Sequence, residues 1–434
     1  MKVVETKPDR KSMPTRGIKG SPQIWMSEKR ERDAELWGVD TSKYWIIENK
    51  LYDLTPFIDR HPGGSNWLTM TKGQDVTDFF IIHHINEGKA REVLDKYYVG
   101  ETKNKVSRFS FEEDGLYRTV KRELLKEMTV KEIQDETTSK IYGIILFVLL
   151  CLCIGLSAYT IDAERKSYLP YFFGALSSLF LISMVGIGHN FIHHKPTVFK
   201  YFLTLTGFTH DEWQIMHCLS HHLYPNTELD FEAAALEPIG FFLRNLPENH
   251  MFTEVVLVLL FMFLQPLNFI LKLFVVPILR KRKPDFWYLV PSFVILTFYY
   301  TTGNFWFSLK LHFFIYGVFG LIFNRVLFCG HRLQELWTEG AERIEDFGEH
   351  TVLATNDTDT WMSGFMSYLF LAGFNIHTPH HFFPTADLMA HPRIIKIIER
   401  ECQKKGIKHF ETSRAKCFVS LTKGILHRIP FVRK

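Results

Sequence analysis

Apolar positions along this chain are bunched rather than spread. Residues 1–36 are polar, basic and proline-bearing, without sustained periodicity, and predict a disordered N-terminal tail. Residues 37–102 carry two short strand-like runs, Tyr44–Ile47 and Leu51–Leu54, and a turn signal at Asp59-Arg60-His61-Pro62-Gly63-Gly64. They predict a small α+β domain. Residues 103–140 are charge-rich, with Leu116, Val120, Leu124 and Met128 recurring every fourth position, the pattern of an amphipathic linker helix resting near a membrane interface.

Long apolar runs begin only at Ile141. Crossing ~30 Å of hydrocarbon takes about 20 helical residues, and Ile141–Ile161 and Tyr168–Gly188 both qualify, joined by a short charged connection. A second pair, Phe286–Thr302 and Phe305–Cys329, meets at Gly303-Asn304. Met251–Leu279 is also apolar, but Gln265, Pro266, Asn268, Lys272 and Pro277 interrupt it and Arg280-Lys281-Arg282-Lys283 follow it. A span there would carry those basic residues to the far side, so the segment is expected to be re-entrant or interfacial. Residues 141–434 are thus expected to be an all-α integral membrane domain of four transmembrane helices plus interfacial helices. That arrangement keeps the N-terminus, the C-terminus and every histidine cluster in the cytosol.

Composition narrows the possibilities. The 434 residues include 51 Lys and Arg against 47 Asp and Glu, a net charge of +4, too balanced to point to nucleic acid. Six cysteines without a C-x-x-C pair argue against a disulfide framework or a thiolate metal site. Nothing near the N-terminus has the apolar length of a signal peptide. Twenty histidines are the strongest compositional signal, and nine fall in three short clusters.

His61 opens a turn in which proline fixes the backbone and two glycines permit close approach to a flat ligand. Downstream, Val76, Phe79, Phe80, Ile81 and Ile82 offer an apolar wall ending at His83-His84. Two facing imidazoles would close both axial positions of a haem iron and dedicate it to electron transfer.

The three clusters are His189-Asn190-Phe191-Ile192-His193-His194, His217-Cys218-Leu219-Ser220-His221-His222 and His377-Thr378-Pro379-His380-His381. On a helix, residues four apart share a face, so His189 with His193 and His217 with His221 would each aim two nitrogens at one centre. Adjacent histidines point apart, which suits a pair of metals or a frayed helix end. Imidazole alone does not select the metal. An electron carrier on the same chain does, because it serves a metal that must be reduced to activate oxygen; two non-haem irons are expected.

Residues 43 to 101, with the HPGG turn and the run AREVLDKYYVGE, resemble a cytochrome b5 domain. The resemblance implies haem b with His61 as one axial ligand. An F-H-x-x-x-G pattern, as in domains fused to lipid desaturases, implies His84 as the other, with His83 in reserve. Residues from about Gly186 to Pro384, through HCLSHHLYPNTELD and NIHTPHHFFPT, resemble the membrane fatty acid desaturases, in the cytochrome b5-fused, front-end-like group. That resemblance implies di-iron ligands among His189, His193, His194, His217, His221, His222, His377, His380 and His381, and O2-dependent desaturation of a fatty acyl chain.

His350 stands where the family often has Gln, as an extra ligand or an outer partner. His331 is a weaker candidate. His312 is expected to be a polar packing residue, and His210, His250, His391, His409 and His427 surface residues. Asn190 replaces an aspartate usual after the first histidine, which would lower ligand basicity.

By the same resemblance the partners are NADH-cytochrome b5 reductase, a fatty acyl-CoA or acyl lipid substrate and membrane lipids, with no nucleic acid, in the endoplasmic reticulum membrane. Two other outcomes fit these residues: a lipid hydroxylase or sphingolipid desaturase, and a membrane-anchored electron carrier whose desaturase half is inactive.

Overall fold

The computed structural model describes residues 21–426 apart from 39–41, 102, 103, 105, 163, 236–241, 243–248, 281, 282, 284, 332, 334, 335 and 337–343. Strands β1 (Trp45–Ile47) and β2 (Lys50–Tyr52) form an antiparallel hairpin, and β3 (Tyr98–Glu101) pairs with β2 to give the order β1-β2-β3. Glu48 and Asn49 both take positive φ, 52° and 63°, as a two-residue turn matched to strand twist requires. Short helices Ser65–Thr71, Thr77–His83 and Gly88–Leu94 accompany this sheet, and Trp45, Phe80 and Leu94 are buried in the shared core.

The expected N-terminal tail is corrected over its second half, residues 1–20 lying outside the described residues: Pro22–Trp37 is a helix, started by the Ser21 side chain accepting from the Ile24 amide and stopped by left-handed Gly38. Its inward stripe is Trp25, Met26, Lys29, Asp33 and Trp37. Two of these are charged, and they satisfy each other: Lys29 Nζ lies 2.6 Å from Asp33 Oδ2 and donates to the Asp75 carbonyl, while Asp33 accepts from the Asp75 amide. Trp25 Nε1 donates to the Leu229 carbonyl at 3.2 Å, so the helix ties the sheet domain to the loop after the second histidine cluster.

The linker helix, Leu116–Glu127, also differs from expectation. Its apolar face, with Leu116, Tyr117, Val120 and Leu124 buried, packs on helices Phe347–Ala354 and His391–Lys405. Protein rather than lipid covers it.

Among the described residues four helices are long and apolar enough to cross a membrane: Val130–Tyr159, Leu169–Ile192, Met251–Leu279 and Phe305–His331. The third is not the expected one. Phe286–Thr302 divides into a short 3-10 turn, Phe286–Leu289, and an 11-residue helix, Ser292–Thr302. Met251–Leu279 runs antiparallel along Phe305–His331, from the Glu254–Arg325 ion pair at 2.6 Å to Phe269 against His312. Two of its interrupting polar residues, Asn268 and Lys272, have protein partners, which is the condition for placing them at membrane depth. Asn268 Nδ2 donates to the Gly207 carbonyl and Lys272 Nζ lies 2.9 Å from Glu212 Oε2. Pro266 lies within the helix, and a π turn at Leu271–Val275 follows. The basic run that argued against this span therefore begins, with Arg280, at the end remote from the histidines. At that same end the Arg165 side chain reaches the Thr302 carbonyl.

Candidate metal centre and haem cavity

The second histidine cluster lies on a π-helix, Gln214–His221, and the His222 amide donates to the His217 carbonyl five residues back. This register changes the expected pairing. Residues five apart now share a face, so His217 groups with His222, and His221 turns to a different set.

Two sets result. His189, His193, His217, His222 and His380 form one, and His221, His331, His377 and His381 the other; within each, the ligand atoms lie within 4.8 Å of one another. The Nε2 atoms converge: His189 to His217 is 2.6 Å, His189 to His380 2.9 Å and His217 to His222 3.0 Å. In the second set His331 Nε2 lies 2.7 Å from His377, and 3.0 Å from His221 and from His381. Nitrogens about 3 Å apart suit ligands that each sit about 2.0–2.1 Å from a shared ion. Adjacent His380 and His381 fall into opposite sets, as do His221 and His222.

Outer partners fix the ring orientations. Glu232 Oε2 accepts from His217 Nδ1 at 2.9 Å, Asp230 Oδ2 from His221 Nδ1 at 3.1 Å, and the Ala354 carbonyl from His331 Nδ1 at 2.9 Å. Each leaves Nε2 for the centre. Burial lowers the pKa of His217, His222, His377, His380 and His381, so these rings are neutral and present lone pairs. The sites thus fit transition-metal ions by donor type, number and protonation.

His194 and His350 join neither set. His194 Nδ1 pairs with Glu136 at 2.9 Å, and His350 Nε2 meets the Pro225 carbonyl with its ring against Phe109. His331, a weak candidate from sequence, stands in the four-histidine set. His391 is buried with its ring 5.9 Å from that of His380, and His210 is buried beside Tyr201; neither is a surface residue. His409 is partly buried and pairs with Asp357 at 2.7 Å. His427 lies outside the described residues. Asn190 does not touch the histidines by hydrogen bond; its amide donates at 2.8 Å to buried Asp387, whose other oxygen accepts from Ser139.

A second feature lies beside this centre. A cavity of about 590 Å3 is walled by Leu54, Phe57, Trp67, Val76, Phe79 and Phe80 of the sheet domain and by His193, His194 and Thr385 of the membrane half. Ile81 and Ile82 do not line it; they fill the core. His61 and His84 face each other across the cavity with ring centroids 6.4 Å apart. Two metal–nitrogen bonds of about 2 Å, plus the distance from each nitrogen to its ring centre, give roughly that separation. His61 Nδ1 donates to the Gly64 carbonyl at 3.0 Å and His84 Nδ1 to the Phe80 carbonyl at 2.8 Å, which leaves both Nε2 atoms for an iron. A Cβ on Gly63 would lie 2.9 Å from His61 Cε1, and Gly64 holds φ at 102°, so both glycines are needed. Burial lowers both imidazoles, His84 to about 4. The cavity fits a porphyrin carried between two neutral histidines.

A bis-histidine cavity that fits haem, set against a cage of nine histidines at the ends of candidate membrane-spanning helices, defines a class: a membrane oxidoreductase with its own electron carrier. Residues 166–413 match the fatty acid desaturase family and residues 30–103 the cytochrome b5-like heme/steroid binding domain. The chain belongs to the fatty acid desaturase family and carries a fused cytochrome b5 domain. It is 27% identical over 380 residues to the cytochrome b5-related protein of Drosophila melanogaster, an alignment covering 84% of this chain and 82% of that one. It is 28% identical over 213 residues to the acyl-lipid (8-3)-desaturase of Mortierella alpina, covering 45% and 46%. A fatty acid desaturase 2-like protein of Mus musculus is 22% identical over 446 aligned positions, covering 92% and 83%. No solved structure matches.

Proposed function

We propose that this protein removes two hydrogens from a fatty acyl chain, using O2 and electrons delivered through its own haem. The reading assigns residues 37–102 to the electron carrier and residues 141–434 to the membrane catalyst. His61 and His84 would hold haem b. His189, His193, His217, His222 and His380 would hold one non-haem iron, and His221, His331, His377 and His381 the other. When bound, the iron pair supplies oxygen activation. The protein supplies neutral imidazoles, carboxylates that fix their tautomers, and a buried site that excludes water.

The observation that carries this reading is the adjacency of the two sites: His193 belongs to the five-histidine set and also lines the haem cavity. An electron carrier built against a metal cage serves redox chemistry. Asn190 does not by itself favour an inactive half, because its side chain bonds to Asp387 rather than to one of the grouped histidines. On this reading the histidine face is cytosolic, the membrane is that of the endoplasmic reticulum, the upstream donor is NADH-cytochrome b5 reductase and the substrate is a fatty acyl-CoA or acyl lipid.

The test is lipid profiling by mass spectrometry of cells expressing the native protein or His380→Ala. A product two hydrogens lighter than its precursor, absent from the variant, is expected. An added oxygen, or the same change on a sphingoid base, would replace this reading with lipid hydroxylation or sphingolipid desaturation. Unchanged lipids, with loss of a cellular phenotype only in His61→Ala, would leave an electron carrier.

A further inference from the structure

His83 neighbours His84 in sequence, yet its ring takes another direction. Its Nδ1 donates to the Phe79 carbonyl at 3.0 Å and its ring packs on Phe79 with centroids 3.9 Å apart. The ring lines the same cavity as His61 and His84, and its buried Nε2 has no hydrogen-bond partner among the described residues. On its other side it meets the metal half. The His83 and His193 rings are near-parallel, 29° apart in plane, with centroids 6.0 Å apart. His193 is one of the five grouped histidines.

The backbone around His83 is fastened from the same half. Thr385 Oγ1, four residues beyond His381, donates to the His83 carbonyl at 3.3 Å. Lys121 Nζ donates to the Ile81 and His84 carbonyls at 3.0 and 2.8 Å. The end of helix Thr77–His83 is thereby tied to the linker helix and to the loop after the third histidine cluster. The Nδ1 bond ties the ring only to its own helix and Nε2 has no partner among the described residues, so the packing on His193 at the cavity wall is the contact left for the ring to serve.

We propose that His83 is a positioning residue for electron transfer: its ring lines the haem cavity and stacks on His193, which lines the same wall, so that the electron crosses packed aromatic matter rather than open space. The inference rests on the haem-to-iron reading above. In the step one electron leaves a ferrous haem, which becomes ferric, and one ferric non-haem iron becomes ferrous; no proton moves and no bond forms or breaks.

The test uses the full-length protein loaded with haem and iron, with the haem reduced anaerobically and its reoxidation by the non-haem iron followed by stopped-flow absorbance. Haem spectrum, haem potential and iron content are measured alongside. In His83→Ala the haem spectrum, potential and iron content remain native while the transfer rate falls about tenfold or more, the loss expected when orientation between two centres is disturbed. In His83→Phe, which keeps an aromatic ring at the cavity wall, the rate returns toward native. A native rate in His83→Ala overturns the proposal, as does equal slowing in both variants. Loss of the haem spectrum in His83→Ala would make His83 the axial ligand and also overturn it. Failure of haem reoxidation in the native protein would instead overturn the haem-to-iron reading itself.

Discussion

Nine histidines converge on the centre, and eight of them stand in repeated motifs that any reader of the sequence can find. The ninth, His331, ends a long apolar helix with no second histidine nearby, and it enters the site only because that helix delivers its last turn against His221, His377 and His381. Its sequence signals were its place at the end of a predicted span and a face shared with Asn324, seven residues earlier. His194 shows the converse: it sits inside a motif but turns away to Glu136. Spacing fixes which residues are near one another, whereas ring direction depends on tertiary partners. His331→Ala is therefore expected to lower bound non-haem iron from about two to about one per chain while haem stays at one. Retention of both irons, read by metal analysis, would exclude His331 as a ligand. His61→Ala should do the reverse, losing haem absorbance while keeping iron.

Elements were legible where apolar periodicity marked them and hidden where charge or backbone register did the marking. Pro22–Trp37 has its buried positions at helical spacing, but Lys29 and Asp33 occupy that stripe, so no hydrophobic pattern announced it. Trp25→Ala should cost about 3–5 kcal/mol, seen as a lower unfolding temperature; an unchanged temperature would return the segment to the status of a tail. The π-helix was hidden for another reason: its extra residue per turn leaves no mark in the apolar pattern, and the carboxylates that pair with its histidines, Asp230 and Glu232, lie beyond its end.

The haem domain is also held by an ion cluster. Glu87 meets Lys121 at 2.6 Å and Arg118 at 2.5 Å. Burial opposes ionisation of Glu87, but these two cations outweigh it and hold its carboxyl at about 2. A carboxyl depressed in the folded state stabilises fully above its unfolded value and loses that contribution as pH falls from there toward the folded value. Docking of the haem domain should weaken between about pH 4.5 and pH 2. Glu87→Gln should cost about 1–3 kcal/mol at neutral pH and flatten that acid dependence. An acid profile identical to native would show that Glu87 does not hold the domains together.

At the scale of the whole molecule, an even number of long apolar helices brings the chain back to its starting face, and this much followed from the sequence. The identity of the third helix did not. Its polar residues read as obstacles to crossing, and only packing shows that Asn268 and Lys272 meet Gly207 and Glu212 inside the protein. Cysteines introduced at Glu164 and Asn304 should label from the side opposite to ones at Glu113 and Glu345; labelling from one side would contradict four spans. The two-part layout was legible because haem and metal motifs are each short and contiguous. Their contact was not, since it joins residues such as His83 and Thr385 that lie far apart in sequence.

The central claim is that one chain holds a haem beside a pair of non-haem irons. Haem and metal quantitation on the purified full-length protein tests it most directly. The account predicts about one haem b and two irons per chain; zinc in place of iron, or haem without a second metal, would contradict it.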